Sequence, residues 1–258
     1  MMQRLRGVAL VARDVEALAR FYCAALGFRR IDGDGSAVLG LGAQRVVLVA
    51  PPGPGFDYPQ PRASNDPLFQ HIAIDVTDMR TAYRRALDHG ATPISTGGPQ
   101  RLPESSGGVS AWKFRDPEGH PLELLAFPLE TCPDYWRDCS DDGLCIGIDH
   151  SAIVVADTAR SIAFYAGFGF EATAHSTNRG AEQAALDGMD DPDVLVTALT
   201  LPGRDPPHLE LLQYRAPLTT RPRNPWEIDD VAATRLMLEC NEAGLLRDPD
   251  GHFIQAVP

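Results

Sequence analysis

Two phrases of this chain share the frame Arg-Asp-Pro-x-Gly-His and differ, a few residues on, in a carboxylate. FRDPEGHPLELLAF (Phe114–Phe127) carries Glu123, whereas LRDPDGHFIQAVP (Leu246–Pro258) carries Gln255 at the corresponding place. A glutamate can bind a cation or take up a proton, and a glutamine cannot serve as a base. The two copies therefore differ in chemistry while agreeing in their frame. A second group of metal-binding residue types is Cys132, Cys139 and Cys145 in TCPDYWRDCSDDGLC. It lacks a Cys-x-x-Cys pair and falls in a segment of linker character, so free thiols are expected. His120 and His252, in EGH and DGH, read as structural turn residues, and His89, His175 and His208 receive no role.

The elements that must position such residues are repeated along the chain, and repetition is the first thing to establish. GVALVARDVEALARFYCAALGF (Gly7–Phe28) matches HSAIVVADTARSIAFYAGFGF (His150–Phe170), aligning Asp14 with Asp157 and Tyr22 with Tyr165. Each copy predicts a strand, an Asp helix cap and a short amphipathic helix with its tyrosine in the core. The first helix ends at Gly27. FQHIAIDVTDMRTAYRRALDHGA (Phe69–Ala91) repeats the logic with Thr77 or Asp78 as cap and Gly90 as stop. ATRLMLEC (Ala233–Cys240) is its counterpart strand, with Arg235 aligned to His71. Beyond Arg235 the last copy is cut short by a helix and a strand. Gly and Pro bound further strands in QRVVLVAP, SAWKFRDP, PLELLAF, DVLVTALTL and HLELLQY.

The expected fold class is α+β, built from four βαβββ-like modules at about 1–60, 61–128, 146–216 and 217–258, the last abbreviated. Residues 129–145 link two sequential domains, 1–128 and 146–258. The 258 residues are 44% hydrophobic and 22% charged, enough for a substantial core. A formal charge of -12 argues against a nucleic-acid or anionic-membrane partner. There is no signal-peptide pattern and no run of eighteen apolar residues. Five cysteines, an odd number, fit a reducing compartment, so a cytoplasmic location is expected.

The paired βαβββ units, FQHIAIDVTD, IDHSAIVVADT and the closing RDPxGHxxEL together resemble the vicinal-oxygen-chelate superfamily. That group includes glyoxalase I, bleomycin-resistance proteins, methylmalonyl-CoA epimerase and the extradiol dioxygenases. The resemblance implies two half-barrel, glyoxalase-like domains. It also implies that each module offers a metal ligand on its first strand, usually His, and one on its last, usually Glu. Carried onto this chain, the first module offers Gly7 and Val47, the second His71 and Glu123, the third His150 and Glu210, the fourth Arg235 and Gln255. Fused glyoxalase-like proteins further imply that outer modules pair with each other and inner modules pair together. One site then collects His71, Glu123, His150 and Glu210, and the other is left without ligands.

Two imidazoles and two carboxylates suit a divalent Ni, Co, Zn, Mn or Fe. By analogy with glyoxalase I, the implied activity is a metal-dependent lyase or isomerase acting on a small molecule with adjacent oxygens through a metal-stabilised enediolate. Glu123 is the favoured base and Glu210 the other candidate. The alternatives are a non-catalytic small-molecule binding protein and an iron-dependent dioxygenase. The loop STGGPQRLPESSGG (Ser95–Gly108) either covers the site or is a solvated connector. Arg235 reads as structural. Fusion of the modules is compatible with a monomer, and an exposed edge left by the short last module with a homodimer.

Overall fold

The computed structural model describes residues 4–31, 36–137, 143–204, 206–221 and 226–258. The first module runs β1 (Leu5–Val11), α1 (Val15–Leu26), β2 (Arg29–Ile31), β3 (Ser36–Leu41) and β4 (Gln44–Val49). The second runs β5 (Gln70–Val76), α2 (Met79–Asp88), the short β6 (Thr92–Pro93) and β7 (Gln100–Arg101), then β8 (Ser110–Arg115) and β9 (Pro121–Ala126). One helical turn, α3 (Asp134–Arg137), lies in the connection. The third runs β10 (Cys145–Val154), α4 (Thr158–Ala166), β11 (Glu171–Asn178), α5 (Gly180–Asp187), β12 (Asp193–Thr200) and β13 (His208–Ala216). The last holds β14 (Arg235–Glu239), β15 (Gly244–Arg247) and β16 (Phe253–Val257) and, among the described residues, no helix.

The helix starts follow the capping residues. Carboxylates of Asp14, Asp78 and Asp157 accept from the backbone N–H groups of Ala17, Thr81 and Arg160 at 2.8, 3.1 and 3.1 Å. Gly27 ends α1 in the left-handed conformation, with φ 70°.

Strand pairing crosses the two halves of the chain. A seven-stranded sheet has the order β15-β16-β14-β1-β4-β3-β2, and a nine-stranded sheet the order β11-β12-β13-β10-β5-β9-β8-β6, with β7 on β8. The outer modules thus share one sheet and the inner modules the other. The two joins, β1 with β14 and β5 with β10, are both antiparallel, and each slips register at the corresponding place: between Leu5 and Gly7, and between Ile148 and His150. One apolar cluster runs from Leu10, Tyr22 and Leu48 through Ile74, Trp112 and Leu124 to Leu211, so the two sheets share a core. No described helix is long and apolar enough to cross a membrane.

The repeated phrase is a structural clamp. Asp116 Oδ1 accepts from the N–H groups of Glu118, Gly119 and His120 at 3.0, 2.8 and 2.9 Å, while Oδ2 accepts from the Tyr22 hydroxyl at 3.2 Å. His120 Nε2 donates to the Val11 carbonyl at 3.0 Å. In the second copy Asp248 Oδ1 accepts from Asp250 and His252 N–H, Oδ2 from the Tyr165 hydroxyl, and His252 Nε2 donates to Val154. Each clamp ties the end of one module to the first strand and helix of the module before it. Both copies need that clamp, whatever stands at Glu123 or Gln255.

Candidate metal centre

The β5–β10 join builds the site. Across the sheet, one row reads His208, His150, Ala73, Glu123, and the next reads Glu210, Ala152, His71. The rows lie two residues apart along β5 and β10, so their side chains leave the same face. In each row the residue between His and Glu is alanine, whose methyl leaves space for the longer side chains to converge.

They do converge. His71 Nε2 lies 2.8 Å from Glu123 Oε2 and 3.3 Å from His150 Nε2. His150 Nε2 lies 4.0 Å from Glu123 Oε2 and 3.5 Å from Glu210 Oε2. Donors held about 2.1 Å from one first-row cation stand about 3.0 Å apart when adjacent and about 4.2 Å when opposite. The spacings fall in or close to that range. His71, Glu123 and His150 thus bring donor atoms within 4.8 Å of one another, a set that fits a divalent cation; Glu210 stands outside that trio beside His150, and Asp149, His150 and His208 form a second such group.

The outer sheet repeats the register with other residues. Gly7 pairs with Met237 and Met237 with Gln255, while Ala9 pairs with both Val47 and Arg235. A Cβ on Gly7, whose φ is 148°, would stand 2.0 Å from the Arg45 carbonyl oxygen, so no histidine fits where His150 stands in the other sheet. Arg235 donates to the Ile228 carbonyl at 3.3 Å. Among the described residues, no group of His, Cys, Asp and Glu on this face is close enough to share a cation. Cys145 is a free thiol, and Cys139 lies outside the described residues.

Two further groups belong to the site. Asp149 Oδ2 stands 2.9 Å from His150 Nδ1 and fixes that nitrogen as the donor, which turns Nε2 toward the centre. Asp149 is held in turn by Trp136 Nε1, which donates to Oδ1 at 3.1 Å. Trp136 comes from the connection between the halves and packs on Gly147, where a Cβ would meet its ring at 2.4 Å. His208 places Nε2 3.5 Å from Glu210 Oε1 and its ring 5.3 Å from that of His150. His208 and Glu210 share a face of β13, so period-two spacing was an available signal for His208. Adjacency gave none for Asp149, because strict alternation puts Asp149 and His150 on opposite faces; the register slip before His150 brings them together. His71 has no such orienting partner: its Nδ1 is buried without a hydrogen bond, and the ring packs on Phe69 at 5.5 Å.

Charge is concentrated here. Burial opposes ionisation of Glu123 and Glu210, yet Lys113 and His71 hold Glu123 below the usual carboxylate range, and His150 and His208 hold Glu210 at about 2. Burial would lower His150, but Glu210, Asp149 and Glu123 push it up to about 9. Burial holds His71 down despite Glu123.

The centre opens into a cavity of about 530 Å³ whose walls include Leu102, Val109, Leu125, Phe127, Leu186 and Leu212. Leu102, Ser106 and Gly107 come from the loop Ser95–Gly108, which is fastened to α5 and β11. Ser95 Oγ donates to the Leu186 carbonyl at 2.8 Å and Ser106 Oγ to Asn178 Oδ1 at 3.1 Å. Lys113 also lines the cavity, but its ammonium is paired with Asp187 Oδ1 at 2.7 Å, and Asp187 Oδ2 accepts from Tyr214 and Gln183.

The profile of the Glyoxalase/Bleomycin resistance protein/Dioxygenase superfamily matches residues 4–124 and 147–253. No curated protein sequence matches. Among solved structures, glyoxalase I from Zea mays superposes with a TM-score of 0.62 at 16% identity, over 99% of this chain and 92% of that one. A single-substitution variant of the maize protein gives 0.63, 16%, 99% and 94%. At that identity the likeness concerns the fold. The profile covers most of the sequence in two segments, and the chain belongs to the Glyoxalase/Bleomycin resistance protein/Dioxygenase superfamily.

Proposed function

We propose that the inner sheet carries a divalent-metal centre of His71, Glu123, His150 and Glu210, and that the protein is a lyase or isomerase of glyoxalase type. The observation that carries this reading is the convergence of His71, Glu123 and His150 in one buried place, with donor atoms within 4.8 Å of one another, and of the Glu210 carboxylate 3.5 Å from His150 Nε2 at its side. A concentration of buried negative charge is costly without a counter-cation. When bound, the cation supplies Lewis acidity toward two adjacent substrate oxygens.

The chain's own residues do the rest. Of the two carboxylates, Glu210 is better placed than Glu123 to move a proton: its side chain is 21% exposed against 7%, and it faces the cavity beside His208. His208 stands within reach to pass that proton on. Asp149 and Trp136 keep the His150 ring from turning. The apolar wall holds the substrate body and excludes water. Lys113, a cation already neutralised by Asp187, and the absence of arginine among the described lining residues favour an uncharged substrate body over an anionic conjugate.

The iron-dependent dioxygenase reading keeps one supporting observation, since His71, His150 and Glu123 form a two-histidine, one-carboxylate trio. Screening adjacent-oxygen compounds for turnover, with and without chelator and with oxygen uptake recorded, separates the readings. Chelator-sensitive isomerisation or lysis without oxygen uptake supports the proposal. Ligand stabilisation that ignores the chelator leaves a binding protein instead.

A further inference from the structure

The two copies of the clamp differ in their arginines. In the second copy Arg247 is fully engaged: Nη1 donates to the Gly251 carbonyl at 3.3 Å, Nη2 donates to the Trp226 carbonyl, Glu227 lies 3.6 Å away, and the guanidinium covers the Phe253 ring. Its counterpart in the first copy is Arg115. There the equivalent carbonyl, that of Gly119, is taken by a different residue: Arg62 Nη1 donates to it at 2.7 Å, and Arg62 lies over the Tyr58 ring. Gly119 permits this approach, because a Cβ there would meet Arg62 Nη1 at 2.9 Å. Arg115 is displaced from its own clamp, and among the described residues its guanidinium has no hydrogen bond or ion pair. Arg62 Nε is buried and also lacks a partner.

Two half-buried cations therefore stand side by side. Burial and the neighbouring Arg62 push Arg115 down to about 10. The nearby acids are already committed. Asp116 holds three backbone N–H groups and Tyr22, Glu118 Oε1 accepts from Asp14 N–H at 2.8 Å, and Asp66 is paired with Arg221 at 3.1 Å. Both arginines line an open cleft of about 360 Å³ together with Gln60, Thr92 and the two committed acids Asp116 and Glu118. They also line a smaller hollow against Phe69, the ring that packs on His71.

We propose that Arg62 and Arg115 form an oxyanion-binding site, separate from the metal centre, for the phosphate or carboxylate group of a small molecule. The anion supplies the acceptors that the displaced Arg115 lacks and relieves the repulsion between the two guanidiniums. Planar forks suit such oxygens geometrically. The site does not depend on the activity proposed for the inner sheet.

The test is thermal melting and calorimetric titration of the whole protein with sodium phosphate and sodium succinate, against sodium chloride at matched ionic strength. The site predicts one-to-one binding of at least one of the two anions and a rise in Tm of about 3 °C or more near saturation, with chloride inert. The stronger responder distinguishes phosphate from carboxylate. Arg115→Gln abolishes the response while leaving metal content unchanged, and in chloride it melts no lower than the parent. Arg115→Lys, which keeps charge but loses the fork, weakens the response. His71→Ala keeps it, which excludes anion binding at the metal centre. No response beyond chloride, or an undiminished response in Arg115→Gln, overturns the assignment.

Discussion

His71, Glu123, His150 and Glu210 depend on small neighbours and on one bulge. Ala73 and Ala152 keep the rows open, and the slip before His150 swings Asp149 behind its ring. With His150 pushed up to about 9, a cation must displace its proton below that pH. Metal affinity should therefore rise about tenfold per pH unit between about pH 6 and 9, with about one proton released per ion in calorimetry across buffers of differing ionisation heat. Absence of proton release contradicts that assignment. Burial and Asp149 push the Asp75 carboxyl up to about 8. The folded state keeps this proton while the unfolded chain releases it near ~4, so the associated stability is complete below that pH and lost as pH rises through about 8. Asp75→Asn should match the parent near pH 4 and melt about 3 °C or more above it at pH 9, read from Tm against pH. The candidate ligand positions were legible because the family resemblance assigns them to the first and last strands of each module, and the repeats could be aligned residue by residue. Asp149 was not, since sequence does not announce a register slip.

At the scale of elements, strands and capped helices were readable where the signals are strong, as at Asp14, Asp78 and Asp157. The helix α5 was missed for a physical reason: its N-cap is Arg179, which makes no side-chain cap, and the segment is eight residues long. It matters, because Asp187 at its end neutralises Lys113 on β8 and ties the third module to the second. Asp187→Ala leaves a buried ammonium without its partner and should cost about 3–5 kcal/mol in urea unfolding. A loss below about 1 kcal/mol contradicts a buried pair. The clamp makes a second case. Asp248→Ala strands the Asp250 and His252 N–H groups and the Tyr165 hydroxyl, and should cost about 3 kcal/mol or more although the residue is remote from any proposed ligand.

The whole molecule is held by exchange between its halves. Residues 1–128 contribute β1 to one sheet and β5 to the other, and each of these strands has one neighbour within that half, β4 or β9, and its second in residues 146–258, β14 or β10. Expressed alone, residues 1–128 should fail to form a folded monomer in gel filtration and circular dichroism, appearing as a dimer or an aggregate; a stable, cooperative monomer contradicts the pairing. That exchange concentrates every candidate ligand on the inner sheet and leaves Arg235 and Gln255 on the outer one. Metal stoichiometry of the purified chain tests this asymmetry most directly. Elemental analysis should find one divalent ion per chain, lost in His71→Ala and in His150→Ala and unchanged in Gln255→Ala. Metal content near zero in the parent under saturating supply, or unaffected by both histidine substitutions, contradicts it.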